Sequence, residues 1–222
     1  MSHRNSSNLH SLQEISSSGP IDTTKSLEAL LAELRESNAK NFQFLSLIDR
    51  LEALVKDVNN AFLHPSTLIL AKGKETDVLT TKNIEDWGKE EIAQWSKEIR
   101  KRTIIDSFFP EILAVTKQAV MCTEKFIPRD IQILSVLSLL YKRESYGRLA
   151  QIYTGEGKTT TIAILAVLNV MQGKKVDIVT SSEVLAKRDA GDNESFYKLF
   201  DITVAHNCSV YRMEQKPCYK AD

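Results

Sequence analysis

Leu27, Leu30, Leu31 and Leu34 recur at three- and four-residue intervals, and Phe44, Leu45, Ile48, Leu51, Val55 and Val58 continue the rhythm, with Glu, Lys and Arg between them. That spacing predicts an amphipathic helix or helical pair from Ser26 to about Val58. His64-Pro65 stops it, because a residue before proline is pushed out of the helical region. No strict heptad survives past Asn38, so the apolar stripe is expected to pack on the rest of the chain rather than in a coiled coil. A polar connector, KGKETDVLTTKN at 72–83, leads to a second helical pattern carried by Ile84, Trp87, Ile92, Trp95 and Ile99, with Gly88 at its start or at a kink. The basic run KEIRKR at 97–102 suits a solvated helix C-terminus, where cations offset the macrodipole. Residues 106–125 predict another helix with Phe109, Ile112, Leu113 and Val120 inward, and 129–143 a more apolar one with Asp130 near its start.

After this the period changes. RLAQIY at 148–153 reads as a short strand, 158–172 as a helix ending at Gly173, and KVDIVTS at 175–181 as a β-branched second strand. Residues 183–200 are helical with a break near Gly191 and a restart at Asn193, and DITVAHN at 201–207 is a third strand. Strand, helix, strand, helix, strand with short links predicts an α/β fold with a parallel sheet. Three strands are fewer than nucleotide-binding sheets of this kind carry, so the sheet is expected to be incomplete. The chain therefore divides into a disordered Ser/Asn-rich tail at 1–24, a helical region at 25–104, and a partial α/β nucleotide domain at 105–222.

Composition narrows the function. The 222 residues are 42% hydrophobic and 26% charged, an ordinary globular balance. Lys+Arg and Asp+Glu both count 29, and that neutrality argues against a chain whose main task is gripping nucleic acid. Apolar runs such as IAILAVLNVM at 162–171 are too short to span a bilayer. The N-terminus lacks a secretory core, and scarce arginine with Glu14 speaks against a transit peptide. A cytoplasmic protein is the expectation, with an organellar location left open. Cys208 and Cys218, with His206 beside them, offer fewer than the four ligands of a structural metal site, so these and Cys122 read as reduced thiols.

The stretch YTGEGKTTT at 153–161 carries the chemistry. Gly157, Lys158 and Thr159 fit the end of the phosphate-loop pattern G-x-x-x-x-G-K-[ST], while Ile152 stands where the first glycine belongs. Gly155 and Gly157 open backbone angles closed to other residues, so successive N–H groups from Thr154 onward form a nest for phosphate oxygens at a helix N-terminus. Lys158 is expected to reach the β- and γ-phosphates and Thr159 to hold Mg²⁺, which makes this pair the catalytic as well as the binding candidates, with Thr159 the metal ligand. Glu156 is awkward: its N–H serves the nest, but its carboxylate must point away from a triphosphate. A flexible Gly-x-Gly turn followed by a chance Lys-Thr is the bland alternative, and the strand-to-helix context speaks against it.

Two further segments support the loop. VTSSEVLAKRDA at 179–190 follows it, and FIPRDIQILSVL at 126–137 precedes it. Together with TGEGKT they resemble SecA, the ATPase motor of preprotein translocation. There the loop reads M-x-T-G-E-G-K-T, the later segment V-T-x-x-x-x-L-A-x-R-D-A and the earlier one M-R-x-x-D-V-Q-L-L. CYKAD at 218–222 is similar to a further segment, R-x-A-Y-x-A-D. The resemblance covers roughly residues 85–222, and 1–80 carry no recognisable match. It implies a P-loop, RecA-like motor domain, ATP and Mg²⁺ as ligands, Gln132 on the adenine, and Arg188 and Asp189 as supports beside the nucleotide. It also implies a polypeptide substrate, a membrane channel as partner, and a place at the membrane surface. Ile152 for methionine, an insertion around YKRESYG and the divergent AHNCSVYRMEQKP are its departures. Thr180 and Glu183 also fit a capping box, T-x-x-E.

Hydrolysis in such motors needs an acidic pair that holds Mg²⁺ and activates water, and no Asp-Glu pair of that kind follows Lys158. The expectation is an ATP-binding part of a SecA-like motor that stops short of the acidic box, either the front of a larger protein or a truncated product, with hydrolysis by this chain alone left open. The alternatives are a piece of a superfamily 2 helicase, whose loop motif overlaps this one, and a non-catalytic helical interaction protein with a relic loop.

Overall fold

A computed structural model describes residues 26–69, 78–140, 148–152 and 154–208. The expected tail at 1–24, the first half of the connector at 72–83, the YKRESYG segment, Tyr153 and Cys218 lie outside them. The first two helices are α1 (Leu27–Ser37) and α2 (Phe42–Phe62), each started by a side-chain cap. Ser26 Oγ accepts from the Ala29 N–H at 3.3 Å and Asn41 Oδ1 from that of Phe44 at 3.1 Å, satisfying donors that an isolated helix start leaves unpaired. On α2, Ile48, Leu51, Val55, Val58 and Phe62 are buried against α5 (Phe109–Glu124) and α6 (Asp130–Leu140). At about 2 kcal/mol per buried side chain this face outweighs the exposed pairing of Arg35 with Asp49 and Glu52, which contributes at most about 1 kcal/mol.

The centre is α5, buried on almost every side from Phe109 to Val120. A helix enclosed all round carries polar groups only where they are matched, and its two charges are. The Glu111 carboxylate accepts from the N–H groups of Thr67 (2.8 Å) and Leu68 (3.1 Å), from Trp95 Nε1 (3.0 Å) and from the Ser66 and Thr67 hydroxyls. Lys117 Nζ donates to Asn59 Oδ1 at 2.5 Å, lies 3.9 Å from Asp130 Oδ1 and sits 5.0 Å from the centre of the Phe62 ring. Burial pushes the Lys117 ammonium below its usual range, and Asp130 opposes that. Short α3 (Val78–Thr81) leads through a 3-10 turn at Ile84–Asp86 to α4 (Lys89–Ile99). Gly88 starts α4, its N–H donating to Glu91 Oε2 at 2.9 Å. Arg100, in the run expected to be solvated, is exposed at the end of α4 and also donates through Nη1 to the carbonyls of Phe200 (3.1 Å) and Asp201 (2.5 Å).

The second half continues with α7 (Lys158–Met171), α8 (Glu183–Asp192) and α9 (Glu194–Leu199). Helix α7 buries Ala163, Ile164, Val167, Leu168 and Met171 against α5 and α6, and Phe196 and Phe200 close the core beside α5 and α4. One buried cluster thus runs from Leu30 to Phe200.

The expected parallel α/β sheet is corrected here: among the described residues there is no strand. The segments read as strands, 148–153, 175–181 and 201–207, carry no strand at any described residue. Strand preference is realised only through a paired neighbouring strand, and among the described residues these segments have none. Leu149 stays 91% exposed and Val179 93% exposed. Ile202 and Val204 pack against the core as irregular chain instead. The helices that should flank the sheet do form: α7 and α9 bury apolar faces against the core, while α8 buries none of its residues and is held by its Ser182 cap.

Candidate nucleotide site

The loop between 152 and α7 has the backbone its glycines predict. Gly155 has φ +89° and Gly157, the residue that caps α7, has φ +78° and ψ +40°. Both lie in the left-handed region that costs a side-chain-bearing residue about 1–2 kcal/mol. The first intrahelical bond of α7 runs from the Thr161 N–H to the Gly157 carbonyl at 3.0 Å, and the Thr161 hydroxyl also donates to that carbonyl at 3.1 Å. The N–H groups of Lys158, Thr159 and Thr160 therefore stand at the helix start without intrahelical acceptors, beside the two left-handed glycines. Positive partial charge and free donors at one point suit an anion.

The N-terminus of α6 grips this loop at Glu156. Gln132 is buried, and its Oε1 accepts the Arg129 N–H at 2.9 Å, closing the first turn of its own helix as an N3 glutamine does. Its Nε2 donates to the Glu156 carbonyl at 3.1 Å. The Arg129 guanidinium pairs with the Glu156 carboxylate at 2.9 Å. The approach is close: a Cβ on Gly157 would stand 2.0 Å from Gln132 Nε2, so a side chain there would displace the Gln132 amide in addition to straining φ.

The other candidate residues fall around the same turn. Thr154 and Gly155 lie exposed on it, and Lys158 folds back so that Nζ donates to the Ile152 carbonyl at 2.9 Å. Thr159 and Thr160 face an open cavity of about 300 Å³ that Arg188, Asp189 and Asp192 of α8 and Glu124 of α5 also line. Arg188 and Asp189 are thus beside the start of α7, and they pair with each other, Nε to Oδ1 at 2.9 Å. The capping box at Thr180 is corrected: Ser182 caps α8, its Oγ accepting from the Leu185 N–H at 3.2 Å, while Thr180 Oγ1 donates to the Ser182 carbonyl at 2.9 Å and Glu183 pairs with Lys187. The three-position spacing from Thr180 to Glu183 matched the motif, but the helix begins at Glu183.

Among the described residues no group of three or more His, Cys, Asp or Glu gathers as a metal site. Cys122 and Cys208 are free, and Cys208 Sγ lies 3.8 Å from the Glu183 carbonyl. No described helix is long and apolar enough to cross a membrane. The sequence reading missed Arg129 and Thr160. Arg129 had one signal, its place just before the first residue of a helix whose third residue is glutamine.

With this geometry in place, similarity to known proteins can be weighed. Residues 48–222 match the family model of the SecA DEAD-like domain, so the match begins inside α2, well before the segments that first carried the resemblance. The chain is 31% identical over 176 residues to a protein translocase subunit SecA from Buchnera aphidicola subsp. Cinara cedri (strain Cc). That alignment takes in 79% of this chain and 19% of the relative's length.

Proposed function

The chain belongs to the SecA DEAD-like domain family, and from that premise we propose that it is the ATP-binding part of a motor that moves polypeptides, with residues 154–159 as its phosphate site. The observation that carries the reading is the loop's geometry: left-handed Gly155 and Gly157 set free N–H donors at the start of α7, with the Lys158 ammonium folded onto the same turn. This donor set fits a polyphosphate, because it offers backbone N–H groups, a cation and a hydroxyl and, among the described residues, places no carboxylate partner on Lys158. The N–H groups of the nest hold the phosphates, Lys158 neutralises them, and the Thr159 hydroxyl takes one place on Mg²⁺. The bound metal would draw charge from the phosphate oxygens. Gln132 is the proposed adenine reader. Its Oε1 and Nε2 each have one bond inside the protein, and an amide has capacity for further bonds at both ends.

Binding is the part of the chemistry these residues carry. By analogy with a protein translocase subunit the moved cargo is a polypeptide, and the family resemblance implies a membrane channel as partner and the cytoplasmic side of a membrane as the working place. The test is titration calorimetry of Mg-ATP into the chain and its Lys158→Ala variant. The proposal expects saturable binding that falls at least about a hundredfold in the variant, the scale of a lost charge-assisted contact to phosphate. Equal affinity in both proteins overturns the site assignment.

A further inference from the structure

We infer that Arg129 is a positioning residue of the nucleotide site, one that neutralises the Glu156 carboxylate and holds it out of the phosphate nest. The inference rests on the nucleotide reading above and concerns a residue outside the loop itself.

The problem it answers is one of charge. Glu156 sits between Gly155 and Gly157, whose angles shape the nest, so its backbone must stay there. Its side chain is 18% exposed, too enclosed for water to screen a carboxylate facing a polyanion. Lys158, the other cation of the loop, is 2.9 Å from the Ile152 carbonyl rather than at Glu156. Asp130, next to Arg129, accepts from Asn59 Nδ2 at 3.0 Å and faces Lys117, so it does not take Arg129 from Glu156. The Arg129–Glu156 pair at 2.9 Å is therefore the contact that cancels the unwanted charge.

The same grip orients the backbone. Gln132 Nε2 holds the Glu156 carbonyl at 3.1 Å, and the Gln132 Oε1 that accepts the Arg129 N–H fixes Arg129 and Gln132 to each other. No described peptide bond is cis. In a trans peptide the N–H of the next residue points opposite to the carbonyl, so the Gly157 N–H faces away from α6. Carboxylate and carbonyl, the two negative ends of Glu156, are both drawn to α6, which leaves the opposite side of the loop to donors.

A charge effect has a signature that a structural one lacks: it scales with the charge of the ligand. Calorimetric titrations of ATP, ADP and AMP, each with Mg²⁺, into the wild type, Arg129→Gln, Glu156→Gln, the double variant and Lys158→Ala separate the two. Arg129→Gln is expected to weaken ATP about tenfold, ADP less and AMP hardly at all, because an uncancelled carboxylate repels in proportion to ligand charge. Adding Glu156→Gln removes that carboxylate and is expected to restore ATP affinity to within about twofold of wild type, which also shows that the variant is folded. Wild-type ATP affinity in Arg129→Gln, equal losses for all three nucleotides, or failure of the second substitution to restore binding overturns the inference. If Lys158→Ala binds ATP as the wild type does, the nucleotide reading falls and the inference with it. If Lys158→Ala loses binding while Arg129→Gln keeps it, the inference alone falls.

Discussion

In the helical body, Glu111 accepts from two backbone N–H groups, an indole and two hydroxyls, and its neighbours along α5 from Ile112 to Val120 are buried. On the loop side, Glu156 has one guanidinium on its carboxylate and one amide on its carbonyl, and the turn around it is exposed at Thr154 and Gly155. Both carboxylates are held away from water, but for different ends. The first fastens the 66–68 segment and α4 to α5, so its neutral donors are consumed and nothing is left for a ligand. The second keeps a loop in shape while leaving the donors at the start of α7 unspent. A fully satisfied polar centre stabilises, whereas a partly satisfied one is available for binding.

Substitutions can break this contrast. Glu111→Ala removes the acceptor shared by five donors, two of them on the buried Ser66 and Trp95, and is expected to cost about 3–5 kcal/mol in denaturant unfolding, with little change in the nucleotide affinity of the protein that remains folded. Gly157→Ala is expected to show the reverse: about 1–2 kcal/mol in stability, from a left-handed residue forced to carry a Cβ, and a loss of Mg-ATP affinity of roughly a hundredfold in calorimetry because Gln132 must give way. Similar stability losses in the two variants would erase the distinction between body and loop.

Lys117 sharpens it through pH. Its folded pKa lies below the ordinary 10.5, so above that folded value the unfolded chain binds the proton more tightly. The cost of burying the ammonium is complete below the folded pKa and is relieved as pH rises from there toward 10.5, so stability gains in that window and is flat below it. Lys117→Met is expected to remove this gain, measured as the difference between the two proteins' urea midpoints from about pH 7 to about pH 10. The smallest effect belongs to α8: Ser182→Ala costs about 1 kcal/mol through loss of a cap, and Thr180→Ala less than about 0.5 kcal/mol.

These pairs also show what the sequence made legible. The helices were readable because their periodicity is their packing: the α2 stripe from Ile48 to Phe62 is buried as its spacing predicts. Ser26, Gly88 and Gly173 marked helix ends for the same local reason. The loop was readable because its glycines act on their own backbone. The sheet was misread because β-branched runs such as KVDIVTS state a preference that only a neighbouring strand can satisfy. Arg100 is exposed as its basic run suggested, but its partners, the carbonyls of Phe200 and Asp201, were not legible because they lie a hundred residues away. Arg129 was missed for a related reason: its meaning depends on Glu156, which folding brings to it across 27 positions.

The central claim is that the turn from Gly155 to Thr160 is where phosphate binds. Amide hydrogen exchange followed residue by residue, with and without Mg-ATP, tests it most directly. The account predicts that protection rises at the N–H groups of Gly155, Glu156, Gly157, Lys158, Thr159 and Thr160 and leaves the amides of Thr67 and Leu68, already spent on Glu111, unchanged. Protection that appears elsewhere while these six amides stay as they were would contradict it.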